Sequence, residues 1–174
     1  MAPIPLSERP LDKYWFIPFF VLNIAVITYM IDIEQVTTMP PIAGKPYPWW
    51  PPRAVVDIVR WYGYKYDPLL IARPPFWRAS IYYDIFFFGP FYFYAIHAFT
   101  KGINAIRIPA IIFGTCLTTV VTLILMEEIY GEYAAHDPFF VVGVNLPWLI
   151  TPIAIVYRMW MGGERPFDTD KKTC

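Results

Sequence analysis

Three aspartates stand where the surrounding sequence is strongly apolar or tightly turned: Asp32, Asp67 and Asp84. Asp84 lies inside a long apolar segment, Asp32 closes another, and Asp67 directly precedes Pro68. An ionisable side chain at the centre of a transmembrane helix costs about 2.5–3.5 kcal/mol, so it is a candidate for function. The alternative is structural, with these acids at a helix end, in an Asp-Pro turn and in an interhelical hydrogen bond. If functional, the three carboxyl groups converge at one membrane depth.

Histidines and cysteines are too few and too scattered to indicate other chemistry. His97 and His136 are the only histidines, and Cys116 and Cys174 are the only cysteines. None of them has the spacing of zinc ligands, and the two cysteines lie too far apart for a disulfide in a membrane topology. No metal and no cofactor is predicted. The zero net charge, with no basic run longer than two residues, also excludes nucleic acid as a partner.

The elements that position the three acids are predicted to be transmembrane helices. Hydrophobic residues make up 57% of the chain and charged residues only 16%, against roughly 25% charged residues in soluble domains. A hydrocarbon core about 30 Å thick requires about 20 apolar residues of helix. Four segments satisfy this requirement: 14–31, 79–100, 108–126 and 139–157. The sequence therefore predicts an all-α membrane protein in which residues 1–174 form a single four-helix domain.

The stretch that joins the first two predicted helices, residues 32–78, is rich in proline, tryptophan and tyrosine and includes the run PYPWWPP. Its proline density excludes a long helix. Within it, residues 53–66 have the pattern of a short amphipathic helix suited to a membrane surface. We predict that this stretch forms a structured lumenal lid.

Prolines inside the predicted helices favour a cavity between them. Pro90 lies in the second helix, and Pro147 and Pro152 lie in the fourth. Each removes a backbone hydrogen bond and tends to kink or splay the helix, although proline is also frequent in transmembrane helices for no functional reason.

The distribution of lysine and arginine predicts the orientation in the membrane. Eight of these residues lie on the side of the termini, six lie in the long loop, and none lies between the third and fourth helices. Cytosolic loops carry the excess, so both termini, including the tail 158–174, are predicted to be cytosolic. The last four residues, KKTC, then place Lys171 and Lys172 in a dilysine pattern, which predicts retention in the endoplasmic reticulum.

Four motifs give the chain a family resemblance. They are YDPLL at 66–70, RPPFWRAS at 73–80, GPFYFYAIHAFTKG at 89–102 and RIPAII at 107–112. In this order and spacing they resemble the sigma-2 receptor (transmembrane protein 97) family of the EXPERA superfamily, to which the emopamil-binding sterol isomerase is related. The chain is identified as a distant, fungal or protist, member.

The resemblance implies a site. Members of the family enclose a largely apolar pocket that binds sterols and lipophilic amines between four helices. By residue-to-residue correspondence, Asp32 matches the acid that pairs with a ligand amine, Asp67 matches the acid that orients it, and Asp84 falls where the family has a glutamate. The remaining wall is implied to consist of Leu70, Phe88, Thr119, Val144 and Trp148.

Three functions remain open at this point. The preferred hypothesis is a non-enzymatic protein of the endoplasmic reticulum membrane that binds sterols or other lipophilic molecules and affects lipid handling or protein quality control. The second is a sterol double-bond isomerase, which would need an acid and a base placed together on the substrate; His97 lies nearly four helical turns beyond Asp84. The third is a structural or chaperone-like membrane subunit. The resemblance also implies a homodimer in contact with membrane lipid.

Overall fold

The computed structural model describes residues 3–38 and 47–168. Within these ranges the chain is helical, and its only strand-like feature is a bridge that pairs Pro3 with Asp168. Three helices of the described chain are long and apolar enough to cross a membrane: Asp12–Thr37, the span Asn104–Tyr130, and Pro138–Met161. The prediction of an all-α membrane protein is therefore confirmed.

We number the helices in chain order. They are α1, Asp12–Thr37; α2, Arg53–Lys65; α3, Leu69–Ala72; α4, residues 75–101, built from Pro75–Tyr83, Asp84–Phe88 and Gly89–Lys101; α5, Arg107–Tyr130; and α6, Pro138–Met161. The short amphipathic segment predicted at 53–66 is confirmed as helix α2. We call the described residues 47–74, which include α2 and α3, the lid; its lumenal position stays a prediction. Residues 39–46, and the tail that contains Lys171 and Lys172, lie outside the described residues.

Helix α4 corresponds to the predicted second membrane span. At 1.5 Å per residue it is about 40 Å long, which is enough to cross a bilayer. It is rich in tyrosine, carries Asp84, and is not among the three spans that satisfy both length and composition. The four-span count therefore stays a prediction.

Aromatic side chains form the main core of the helix bundle. Phe20 of α1 packs against Tyr92 and Phe99 of α4 and Phe113 of α5, with ring centroids 5.5–6.1 Å apart. All four side chains are buried. Helices α5 and α6 pack closely because Gly114 has no side chain: a Cβ there would lie 2.6 Å from Val156 and 2.8 Å from the Pro152 carbonyl oxygen. This core thus fixes the relative positions of α1, α4, α5 and α6 around the cavity described below.

Polar contacts close the bundle at the end that carries the termini. Arg9 is buried and donates to the Asp12 carboxylate at 2.8 Å and to the Phe99 carbonyl at 2.7 Å. The Ile4 amide donates to the Phe167 carbonyl at 2.7 Å, which joins the two ends of the described chain. These contacts leave the cavity described below to the opposite end, under the lid.

A buried ion pair attaches the end of α1 to the start of α4. The Arg73 guanidinium donates to both carboxylate oxygens of Glu34, at 2.9 and 3.0 Å, and also to the backbone carbonyls of Gln35 and Thr38. Trp77 donates to the Gln35 side chain at 2.8 Å. Because Arg73 bonds the last carbonyls of α1, it satisfies acceptors that a helix end leaves free.

Candidate ligand-binding cavity

A cavity of about 330 Å³ lies between the helices and the lid. Its wall is mostly apolar and includes side chains from α1, α2, α4, α5 and α6. Four carboxyl groups line it: Asp32, Asp67, Asp84 and Glu128. The cavity falls within the size range of ligand pockets, about 300–1,000 Å³. An apolar chamber with a few polar groups is suited to a lipophilic molecule with a polar function.

Asp32 and Asp84 form the first acidic pair. Asp32 ends a π-helical segment of α1, and Asp84 begins a π-helical segment of α4. Their carboxyl groups interact electrostatically with each other, and the Tyr92 hydroxyl donates to Asp84 Oδ1 at 3.2 Å. π-Helical turns are frequent at functional sites, which is consistent with a ligand-binding role for this pair.

Close packing of α1 against α4 brings this pair together. Gly89 of α4 faces Tyr29 of α1, and a Cβ on Gly89 would lie only 2.8 Å from the Tyr29 hydroxyl. A larger residue at this position would have to displace the Tyr29 side chain, because a contact of 2.8 Å is shorter than ordinary van der Waals distance. Gly89 thus allows the Tyr29 hydroxyl of α1 to lie directly against α4.

Asp67 lies in the lid and is almost completely buried. Its Oδ1 accepts from the Leu69 amide at 3.1 Å, which forms the turn that begins α3, and its carboxyl group interacts electrostatically with Glu128. Burial raises the pKa of Asp67 from 3.8 to about 6, while the Leu69 amide, Glu128 and the charge of His136 lower it. The hydrogen bond described for Asp67 therefore joins it to Leu69, and the predicted role of orienting Asp32 stays a prediction.

The raised pKa of Asp67 predicts a pH-dependent stability. Between about pH 4 and 6 the folded protein keeps a proton on Asp67 that the unfolded chain releases, so this group's contribution to the free energy of unfolding falls as pH rises through that window and is constant above it. A shift of this size corresponds to at most about 3 kcal/mol. We expect Asp67→Asn to flatten the fall in melting temperature across this window. Superimposable profiles of Tm against pH for the two proteins would contradict the assignment.

Glu128 completes the second acidic pair and was not predicted. By sequence it belongs to the charged flank of the third apolar segment, whereas the structure buries it almost completely in the cavity wall. The Asn145 amide of α6 lies 3.3 Å from both of its carboxylate oxygens. Glu128 lies on the same face of α5 as Val121 and Ile124, which also line the cavity. This i, i+3 and i+7 spacing is the sequence signal that could have identified it.

The other predicted wall residues lie around the same space, with one exception. Leu70, Phe88, Val144 and Trp148 line the cavity. The Trp148 indole donates to Asn23 Oδ1 at 2.9 Å, and Asn23 in turn donates to the Phe19 carbonyl at 2.8 Å, which links α6 to α1. Binding of a ligand by these residues stays a prediction.

Thr119 was wrongly placed in the wall. Its side chain is exposed, and its hydroxyl donates to the Thr115 carbonyl one turn earlier in α5. The wall positions of this helix are Leu117, Val120, Val121, Ile124 and Glu128. With 3.6 residues per turn, position 119 lies about 200° from 117 and points to the outer face.

Comparison with known families identifies the chain. A family model described as EXPERA (EXPanded EBP superfamily) matches residues 54–159, which is more than half of the 174 residues. The chain belongs to the EXPERA family. The matched residues of this EXPERA protein run from the lid helix α2 nearly to the end of α6, and so include most of the cavity wall.

Individual relatives of this EXPERA protein agree with the motif resemblance. It is similar to sigma intracellular receptor 2 of Xenopus tropicalis, 27% identical over 156 residues that cover 83% of this chain and 86% of the frog protein. It is also similar to sigma intracellular receptor 2 of Homo sapiens, 24% identical over 182 residues that cover 97% of each chain. The resemblance to the sigma-2 receptor family within EXPERA is therefore confirmed.

Proposed function

We propose that this membrane protein binds sterols and lipophilic amines in the cavity under its lid, without chemical turnover, and that it serves lipid handling or protein quality control in the endoplasmic reticulum. The observation that carries the proposal is the apolar cavity of about 330 Å³ with Asp32 and Asp84 in its wall. Similarity to proteins named as receptors supports binding rather than turnover.

The chemistry of the wall fits both kinds of ligand. The apolar side chains remove a hydrocarbon body from water, which is worth roughly 25 cal/mol per Å² of buried apolar surface. A carboxylate in a site of low effective dielectric attracts an ammonium group far more strongly than an exposed carboxylate does. A sterol hydroxyl, which both donates and accepts, can bond the same pair.

Lipids that remain bound during purification test the proposal. Native mass spectrometry of the protein released from mild detergent should detect a sterol or another lipophilic molecule at a stoichiometry of about one. Phe88→Trp, which fills the cavity with a larger ring, should lower the occupancy. A protein that carries no such molecule, and whose melting temperature does not respond to added sterols or amines, would favour a structural or chaperone-like subunit.

The second candidate is a sterol double-bond isomerase, which the family's relation to the emopamil-binding protein favours. Such an enzyme protonates one carbon of the substrate and removes a proton from another, which requires an acid and a base in hydrogen-bond reach. Among the described residues that line the cavity there are four acids and no histidine. An isomerase assay on the purified protein with a Δ8-sterol distinguishes the two candidates. If the wild type forms product and Asp84→Asn does not, the non-enzymatic proposal is overturned.

The dilysine tail predicts where the protein resides in the cell. Lys171 and Lys172 occupy the fourth and third positions from the C-terminus, which a retention receptor reads on the cytosolic side. Replacing both with serine should move a tagged protein forward to later compartments, as seen by microscopy and by glycan processing of an attached reporter. A doubly substituted protein that stays fully reticular would show that the tail is not the signal.

A homodimer also belongs to this proposal. Phe86 and Phe93 of α4 expose 74% and 56% of their surface, and this aromatic face is available to lipid or to a second copy. Cross-linking in native membranes should capture a dimer. Recovery of monomer alone, under conditions that capture a control dimer, would contradict this part of the proposal.

A further inference from the structure

A second polar region lies in the cavity wall, apart from the pair formed by Asp32 and Asp84. It consists of Tyr62, Asp67, Glu128 and Asn145, all of which line the cavity. Asp32 and Asp84 belong to α1 and α4, whereas these four residues belong to α2, the lid, α5 and α6. The cavity therefore has carboxyl pairs on two different walls.

One hydroxyl in this second region has no partner. The Tyr62 oxygen is buried and forms no hydrogen bond with any described residue. Its ring is held by Tyr66 and Phe140, with centroids 5.5 and 6.3 Å away, so the hydroxyl is fixed beside the cavity. A buried hydroxyl that lacks a partner is destabilising, and a bound polar group removes that penalty.

The carboxyl groups retain acceptor capacity as well. Asp67 accepts from the Leu69 amide, and Glu128 accepts from Asn145. Each carboxylate oxygen can accept two hydrogen bonds, so several acceptor positions remain for a donor in the cavity. Burial raises the pKa of Tyr62 to about 12, so its hydroxyl stays neutral and can donate or accept.

We propose that Tyr62, Asp67 and Glu128 form a second polar subsite, which holds a second hydrogen-bond-donating group of the ligand. The preferred ligands are then amphiphiles with an apolar body and two separate polar groups, such as long-chain diamines or amino alcohols. This inference rests on the proposed function, in which Asp32 holds the first amine. It adds a preference for ligands that form hydrogen bonds with both walls of the cavity.

Whether a diamine binds more tightly or more weakly than a monoamine of the same chain length shows whether the second subsite exists. Dodecylamine and dodecane-1,12-diamine share the same chain, and only the second carries a terminal ammonium at both ends. If the second end met only apolar wall, its burial would be costly and the diamine would bind more weakly. With the subsite, one additional charge-assisted hydrogen bond should make the diamine bind about tenfold or more tightly.

The quantity measured is the ratio of the dissociation constants of the two amines for the full chain in one detergent. Binding is monitored by the fluorescence of the tryptophans that line the cavity, Trp61, Trp77 and Trp148. Partition of each amine into micelles cancels when ratios are compared between variants. Glu128→Gln keeps the shape and removes the charge, and it should lower the diamine preference by about tenfold. Glu127→Gln is the matched control: Glu127 does not line the cavity, and its bond from the Tyr133 amide survives the change.

Tyr62→Phe gives an independent variant that leaves the carboxyl pair and the ring contacts in place. It should lower the diamine preference by about tenfold, which is the lower end of the loss of one hydrogen bond donated by an ammonium group. Equal ratios in the wild type, Glu128→Gln and Tyr62→Phe would overturn the subsite. Binding of dodecylamine without any preference for the diamine would overturn the subsite alone, whereas a wild type that binds neither amine would overturn amine binding itself.

Discussion

Arg73→Met should lower the free energy of unfolding by about 3–5 kcal/mol, because it leaves the carboxylate of Glu34 buried without its counter-ion. Both side chains are at least 94% buried, and Arg73 also bonds the carbonyls at the end of α1. For a chain of this size the loss corresponds to a fall in Tm of about 6–20 °C. The measurement is thermal unfolding in detergent.

Two further variants give this prediction its control. Arg53→Met removes an ion pair with Asp57 on α2, where the side chains are 73% and 50% exposed, and exposed pairs contribute only about 0–1 kcal/mol. The double variant Arg73→Met with Glu34→Leu removes both buried charges, so it should recover part of the lost stability. Equal Tm values for Arg73→Met and Arg53→Met would show that the buried pair does not hold the lid to α1.

The sequence predicts the helices better than it predicts where they end. The apolar segment 14–31 correctly locates α1, but the helix continues to Thr37 through Glu34 and Gln35. Those polar residues remain helical because Arg73, 39 positions later, neutralises Glu34, and Trp77 bonds Gln35. Contacts between residues so far apart in sequence are created by the fold, and hydropathy along one segment cannot reveal them.

The sequence likewise identifies some residues of the site and misses others. Asp32, Asp67 and Asp84 were found because charge is unusual in apolar surroundings, and all three line the cavity. Glu128 and Tyr62 were missed for the opposite reason: a glutamate near a helix end and a tyrosine on an amphipathic helix are ordinary there. Their burial depends on the turn that follows α5, where the Ala135 amide donates to the Glu128 carbonyl and the His136 amide donates to the Tyr66 carbonyl in the lid.

Asp32→Asn should weaken the binding of lipophilic amines by about tenfold to more than a hundredfold, since a charge-assisted hydrogen bond contributes roughly 1.5–3 kcal/mol. The asparagine keeps the shape of the side chain and can still donate to Asp84. A neutral sterol forms only an ordinary hydrogen bond, worth about 0.5–1.5 kcal/mol, and should lose at most about tenfold. The measurement is the affinity of one amine and one sterol for each protein, with folding checked by Tm.

Asp84→Asn is the matched variant, because it changes the other member of the same pair. Asp84 already accepts from Tyr92, and its replacement leaves Asp32 as a carboxylate facing the cavity. Amine affinity in this variant should therefore stay within about threefold of the wild type, or ~0.65 kcal/mol. Equal amine affinity in the wild type and in Asp32→Asn would remove Asp32 as the charge partner. A larger loss in Asp84→Asn would transfer that role to Asp84, and parallel losses of amine and sterol in Asp32→Asn would mean that Asp32 shapes the cavity without binding the amine directly.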